Sequence, residues 1–311
     1  MKLRKALDKA IKDRRLNTPS VIQTNTDVTE EKKGARQFDT TFTEAAHHAR
    51  MMAQYKEATS RLSSPGPGSL NEKRAHDASW QPPVYSESAS IDLDPDIMHE
   101  NRCVGFTSEG PELDSYKILR TKIQQVTKLK GWNTVLITSP QAGEGKTLTS
   151  INLALTFSKA YNQTILLVDC DLRQQNVHKR FGLNSPCGLI DYLVDDKPMK
   201  EVIIWPKIDQ LTLISGGRTI QNSAELLGSP RMKDLVEEMK SRYDDRYVLF
   251  DAPPVLLGAD TLALAPYVDC LIMVVEEGRT SMRAVQKALK LIAKEKFLGF
   301  VINRQNGIPE N

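Results

Sequence analysis

The chemistry with the clearest spacing lies in SPQAGEGKT, Ser139 to Thr147. A phosphate-binding loop needs a glycine, four residues, then Gly-Lys-Ser/Thr. Gly145, Lys146 and Thr147 supply the end of that pattern, and Pro140 stands in the place of its first glycine. Gly143 and Gly145 remove Cβ atoms where an anion would approach the backbone. Their N–H groups, with those of Glu144, Lys146 and Thr147, can then point at phosphate oxygens. Lys146 would reach the β- and γ-phosphates, Thr147 would offer its hydroxyl to Mg²⁺, and Leu148 closes the cofactor-binding run. Without other chemistry nearby, the same residues could form a structural turn.

Two further stretches bear on that choice. ILLVDCDLR carries Asp169, Asp171 and Arg173 at the end of an apolar run, and YVLFDAPP ends a second run at Asp251. A lone aspartate after a strand is often a helix cap. Two aspartates one residue apart can share a magnesium ion and its waters, and Asp251 fits a second magnesium-binding strand end. Three carboxylates and one lysine around a triphosphate make a phosphoryl-transfer site, which works by positioning and charge neutralisation. The implied cofactors are ATP and Mg²⁺, with Thr147, Asp169, Asp171 and Asp251 on the metal side. The motifs leave open whether a hydroxyl or a water is the nucleophile.

Such groups need a scaffold that delivers them to one edge. From about residue 112 the sequence alternates helical patterns with short apolar runs. Helices are expected over 112–130, 145–160, 223–242 and 280–296. Strands are expected at 134–139, 164–169, 211–215, 247–251, 270–275 and 299–303. Nearly continuous apolar strands imply burial on both faces, hence a mostly parallel sheet with helices on each side. Right-handed crossovers put every strand's C-terminal end on one edge, where sites in such sheets lie. The expected fold class is an α/β P-loop NTPase, without internal repeats.

The segment before residue 105 has another character. SSPGPGS and SWQPPVYSESAS are polar spacer sequences that cannot bury enough apolar area to offset backbone ordering. The domain reading is a basic amphipathic helix at 1–17, a largely disordered linker over 18–104 with a transient helix around 43–62, and a P-loop kinase or ATPase domain at 105–311. MKLRKALDKAIKDRR sets Leu3, Leu7, Ala10 and Ile11 on one face among lysines and arginines. Residues 1–15 are thus a candidate for peripheral membrane or partner contact, or a solvated helix that frays. A net charge of +3 over 311 residues gives no argument for nucleic acid. Cys103, Cys170, Cys187 and Cys270 form no CxxC pair, and His47–His48 lacks metal-ligand company. No apolar run suffices to cross a bilayer and no secretory leader is apparent, so a cytoplasmic protein, recruited at most to the inner face of the cell membrane, is expected.

The order SPQAGEGKT, ILLVDCDLR, VLFDAPP resembles the bacterial tyrosine kinases of capsule and exopolysaccharide loci, the CpsD/CapB-like group. The resemblance covers roughly 105–303, including NSAELLGSPRM and GFVIN. The basic start and long spacer resemble the subclass associated with exosortase-type loci. The resemblance implies a protein-tyrosine kinase that regulates polysaccharide polymerisation and export. It implies Lys146 and Thr147 for phosphate and magnesium, and Asp169 for accepting or orienting the attacking hydroxyl's proton. Asp171 and Asp251 go to the metal, Arg173 to phosphate or a neighbouring protomer, and Asn303 to adenine. DSYKILRTKI is similar to the helix this family uses to pack protomers into rings, so a homo-oligomer through the 112–130 helix is implied; Asp114 and Lys117, standing where the family usually shows Glu and Arg, work against that packing. The implied partner is a membrane chain-length adaptor of the polysaccharide co-polymerase kind, whose cytoplasmic end completes the active site.

The alternative is a non-kinase ATPase switch like the partition and division-site ATPases, acting through nucleotide-driven assembly. Those proteins carry a lysine at the place of Gln141, which favours the kinase branch. The family's usual cluster of tail tyrosines has no counterpart after Tyr267, so the acceptor is expected elsewhere, with Tyr85 and Tyr55 as candidates. Tyr116 and Tyr247 are assigned to packing.

Overall fold

The computed structural model describes residues 88–106, 109–243 and 245–305. The expected N-terminal helix, the spacer up to residue 87, Tyr55 and Tyr85 lie outside the described residues. Strand β1 (Ala89–Ser90) is followed by helix α1 (Pro95–Glu100), whose first turn is capped by Asp94 and started by Pro95. After a 3-10 turn at Val104–Phe106 comes α2 (Pro111–Lys130). Gly131 ends α2 in the left-handed conformation, with its N–H turned back to Thr127 and Lys128 carbonyls. Then follow β2 (Thr134–Thr138), α3 (Lys146–Ser158), β3 (Thr164–Asp169), α4 (Val177–Arg180), α5 (Leu189–Asp195), α6 (Met199–Val202), β4 (Ile203–Trp205) and β5 (Leu211–Ile214). The remainder runs α7 (Ser223–Leu227), α8 (Pro230–Ser241), β6 (Arg246–Asp251), α9 (Asp260–Leu264), β7 (Cys270–Glu276), α10 (Met282–Leu291) and β8 (Phe297–Asn303).

The strands form one sheet in the order β1-β4-β5-β3-β6-β2-β7-β8. Every neighbouring pair is parallel except β4 with β5. Successive side chains leave opposite faces of a strand, and the apolar runs therefore feed two cores. Leu136, Leu166, Val168 and Phe250 join one cluster with Leu235 of α8 and Val285 of α10. Val135, Ile137, Leu167 and Leu249 join the other with Leu119 and Ile123 of α2 and Phe157 of α3. Burying both faces is what forces an unbroken apolar strand in place of an alternating one.

The folded unit begins N-terminal of residue 105. Met98 and Cys103 are buried in the α2–α3 core. Asn152 of α3 receives the Gly105 N–H at 3.0 Å and donates to the Arg102 carbonyl at 3.0 Å. A Cβ on Gly105 would lie 2.5 Å from the Leu155 Cβ, so glycine is what lets this turn sit on α3. Residues 88–104 bury too few apolar side chains for their composition to betray the docking. The stretch expected as one helix over 223–242 is two, because Ser229 accepts from Met232 N–H and Pro230 starts a new first turn. The 280–296 pattern ends as helix at Leu291 and finishes in a 3-10 turn at Lys294–Lys296.

Candidate active site

The phosphate-binding loop joins β2 to α3 at the sheet's C-terminal edge. Gly143 (φ +81°) and Gly145 (φ +90°) both hold left-handed conformations that L side chains rarely adopt. A Cβ on Gly145 would also run into the Asn303 amide. Asn303, at the end of β8, donates from Nδ2 to the Glu144 carbonyl at 3.0 Å. Asn303 and Leu148 also line a cavity of about 210 Å³ beside the loop, together with Tyr116 and Asn152.

Lys146 opens α3 and turns its ammonium toward the neighbouring strand ends. Its Nζ lies 2.9 Å from Asp171 Oδ2 and 3.5 Å from Asp251 Oδ2. Thr147 donates to Asp251 Oδ2 at 2.7 Å, and Ser150, one turn further along α3, donates to Asp251 Oδ1 at 3.0 Å. Asp169 accepts the Asp171 N–H at 3.1 Å and the Val177 N–H at 3.0 Å. Lys146, Thr147, Asp169, Asp171 and Asp251 therefore converge, as the motifs require.

All three carboxylates are buried, and the electrostatics follow. Burial, reinforced by the Asp251 charge, pushes the Asp169 carboxyl up to about 7. Burial also raises Asp251, against the opposing pull of Lys146. Burial alone would lower the Lys146 ammonium, but Asp251 and Asp171 outweigh it and hold the group above its ordinary value. The lysine is a retained cation in a cluster with excess negative charge.

Glu144 also acts through its side chain. Its buried carboxylate accepts the Gln141 N–H at 2.7 Å and the Thr280 hydroxyl at 2.5 Å, which ties the phosphate loop to the turn after β7. Burial pushes this carboxyl up as well. Ser150 and Thr280 were not singled out from sequence. Ser150 had a signal, since position i+3 from Thr147 lies on the same helix face; Thr280, 136 residues from Glu144, had none. Arg173 stands apart from the cluster: it pairs with Asp260 at 3.2 Å and donates to Ser223 at 3.0 Å.

The residues fit a magnesium–nucleotide ligand. Two left-handed glycines, a helix N-terminus and a buried lysine make a phosphate cradle. Among the described residues no cluster of three or more His, Cys, Asp or Glu is arranged to hold a metal by itself. Magnesium ordinarily takes one or two carboxylates, with substrate phosphates and water completing its shell. Cys103, Cys170, Cys187 and Cys270 are free thiols. No described helix is long and apolar enough to cross a membrane.

Residues 133–298 match the AAA domain family. The chain is 34% identical over 192 residues to the tyrosine-protein kinase YwqD of Bacillus subtilis, covering 61% of this chain and 80% of that protein. It is 31% identical over 195 residues to the tyrosine-protein kinase CpsD of Streptococcus agalactiae, covering 61% of this chain and 82% of that one. The crystal structure of the VpsO kinase domain superposes with a TM-score of 0.56 at 28% identity, over 63% of this chain and 97% of that one. Some tyrosine-protein kinase relatives are much longer, and the chain spans only 26–27% of their length.

Proposed function

This chain belongs to the bacterial tyrosine-protein kinase family and is an ATP-dependent protein-tyrosine kinase; from that premise we propose how its residues divide the work and which process they serve. The observation that carries the reading is the meeting of Lys146 with Asp171 and Asp251, beside Asp169, at the mouth of the phosphate loop. Lys146 and the loop N–H groups hold the β- and γ-phosphates. Thr147, Asp171 and Asp251 hold Mg²⁺, which when bound neutralises phosphate charge. Asp169 accepts the tyrosine hydroxyl proton, a task suited to a carboxyl poised near neutrality. The base of the nucleotide enters the cavity beside Asn303.

The process is the regulation of exopolysaccharide or capsule polymerisation and export. The order of the three motifs, which resembles that of kinases from such loci, supports this. The cytoplasmic segment of a membrane polysaccharide co-polymerase is the activating partner, and α2 is the face for homo-oligomers. On α2, Leu119 and Ile123 are spent on the core while Asp114 and Lys117 stay exposed. Purified chain with Mg-ATP should form phosphotyrosine faster when that cytoplasmic segment is added. Equal rates with and without it would remove the adaptor from the account.

A further inference from the structure

A second cavity, about 250 Å³, lies directly over the phosphate loop, and its lining includes Lys146, Thr147, Gln174, Asn176, Arg180 and Arg304. Its charges do not balance for a phosphate ligand. The Lys146 ammonium is engaged by Asp171 and Asp251, with Asp169 adding a third carboxyl to the cluster. Gln141 in the loop is neutral. Arg304 is held by Glu276 at 3.0 Å, and so is Arg279 at 3.1 Å. Arg180 differs from these: among the described residues its guanidinium makes no ion pair, and it is half-buried at the cavity wall.

Its backbone is fixed. Arg180 ends α4, whose first residue, Val177, is buried and gives its N–H to Asp169 Oδ2. The next residue, Phe181, is buried in the α2–α3 core. The helix that carries the arginine is thus bolted to the carboxylate proposed as proton acceptor. A guanidinium with a fixed base and an open fork is suited to phosphate oxygens.

We propose that Arg180 contacts the nucleotide's phosphates from within the same chain and supplies the positive charge that the loop lacks at Gln141. This rests on the nucleotide reading given above. Calorimetric titration of the full chain with Mg-ADP and with a non-hydrolysable Mg-ATP analogue tests both. Arg180→Gln should weaken binding about 10- to 100-fold, the worth of a charge-assisted hydrogen bond. Arg180→Lys should fall in between, and melting without nucleotide should not change. Weakening of the triphosphate analogue alone puts the contact at the γ-phosphate, and weakening of both puts it nearer the β-phosphate. If glutamine disturbs α4, the lysine variant, which keeps a long stem, makes the same comparison. Wild-type affinity for both nucleotides in the variant that folds overturns the proposal. Absence of binding by the wild-type chain overturns the nucleotide reading itself and the proposal with it.

Discussion

Asp169 and Asp251 are register partners, the last residues of two adjacent parallel strands, and both are fully buried. Like charges in that position repel, and desolvation disfavours both ionised forms. The fold tolerates the pair because Lys146, Thr147 and Ser150 supply a cation and two hydroxyls to Asp251, and two backbone N–H groups go to Asp169. Charge repulsion of this kind is what a divalent cation would relieve.

That repulsion gives stability a pH dependence of definite sign. A carboxyl that titrates at about 7 in the fold but near ~3.9 in the unfolded chain gives the native state an extra proton between those values. Its contribution to stability is therefore greatest in acid and falls as pH rises toward 7, by up to roughly 1.4 kcal/mol per pH unit. The melting temperature of nucleotide-free wild type, minus that of Asp169→Asn, should drop between mildly acidic and neutral pH. A flat difference would show that Asp169 is ionised throughout.

Lys146→Ala should abolish transfer. Removing a group that neutralises transition-state charge typically costs on the order of 10² or more in rate. The variant should still fold, because burial already raises Asp251 toward its neutral form and Thr147 and Ser150 still donate to it. Phosphotyrosine formation and thermal melting, measured on one preparation, separate the two effects. Transfer within tenfold of wild type would exclude the lysine from the chemistry.

Thr280→Val tests the tie between the phosphate loop and the turn after β7. It keeps the side-chain shape but strips Glu144 of a hydroxyl donor, and a buried group left short of a partner costs about 1–3 kcal/mol. The melting temperature should fall and nucleotide affinity with it. Binding and melting both equal to wild type would mean that the loop holds its shape without this contact.

Gly145→Ala asks an L residue to hold φ +90° and pushes a methyl group into the Asn303 amide. The loop must then shift, and nucleotide binding should be lost while the distant cores persist. Retained nucleotide affinity in a calorimetric titration would count against the cradle.

Much of this was legible in the sequence, for reasons that particular residues make plain. TVLIT and TILLVD announce buried parallel strands because their apolar residues run almost unbroken, and every residue in them is buried. Asp169, Asp171 and Asp251 announce a site because a strand end at a parallel sheet's edge has one destination. What failed to show were features decided by packing across long separations. Ile203–Trp205 is too short a strand to carry a pattern, and it runs antiparallel to β5. The break at Ser229–Pro230 lay inside a helical periodicity that continues on either side. The Arg173 side chain turns to Ser223 and Asp260, and nothing near it in the chain foretells partners 50 or more residues away. Arg180, 34 residues past Lys146, comes to the cavity over the loop because Val177 is anchored on Asp169 and Phe181 is buried in the core.

Transfer of the γ-phosphoryl group of ATP to tyrosine at this cluster can be followed with label. The direct measurement is phosphoamino-acid analysis after incubating the full chain, with and without a tyrosine-containing polymer, in Mg-ATP labelled at the γ-phosphate. Label should appear on phosphotyrosine with wild type and not with Lys146→Ala. Release of labelled inorganic phosphate by the wild type, with no phosphotyrosine on chain or polymer, would contradict this transfer.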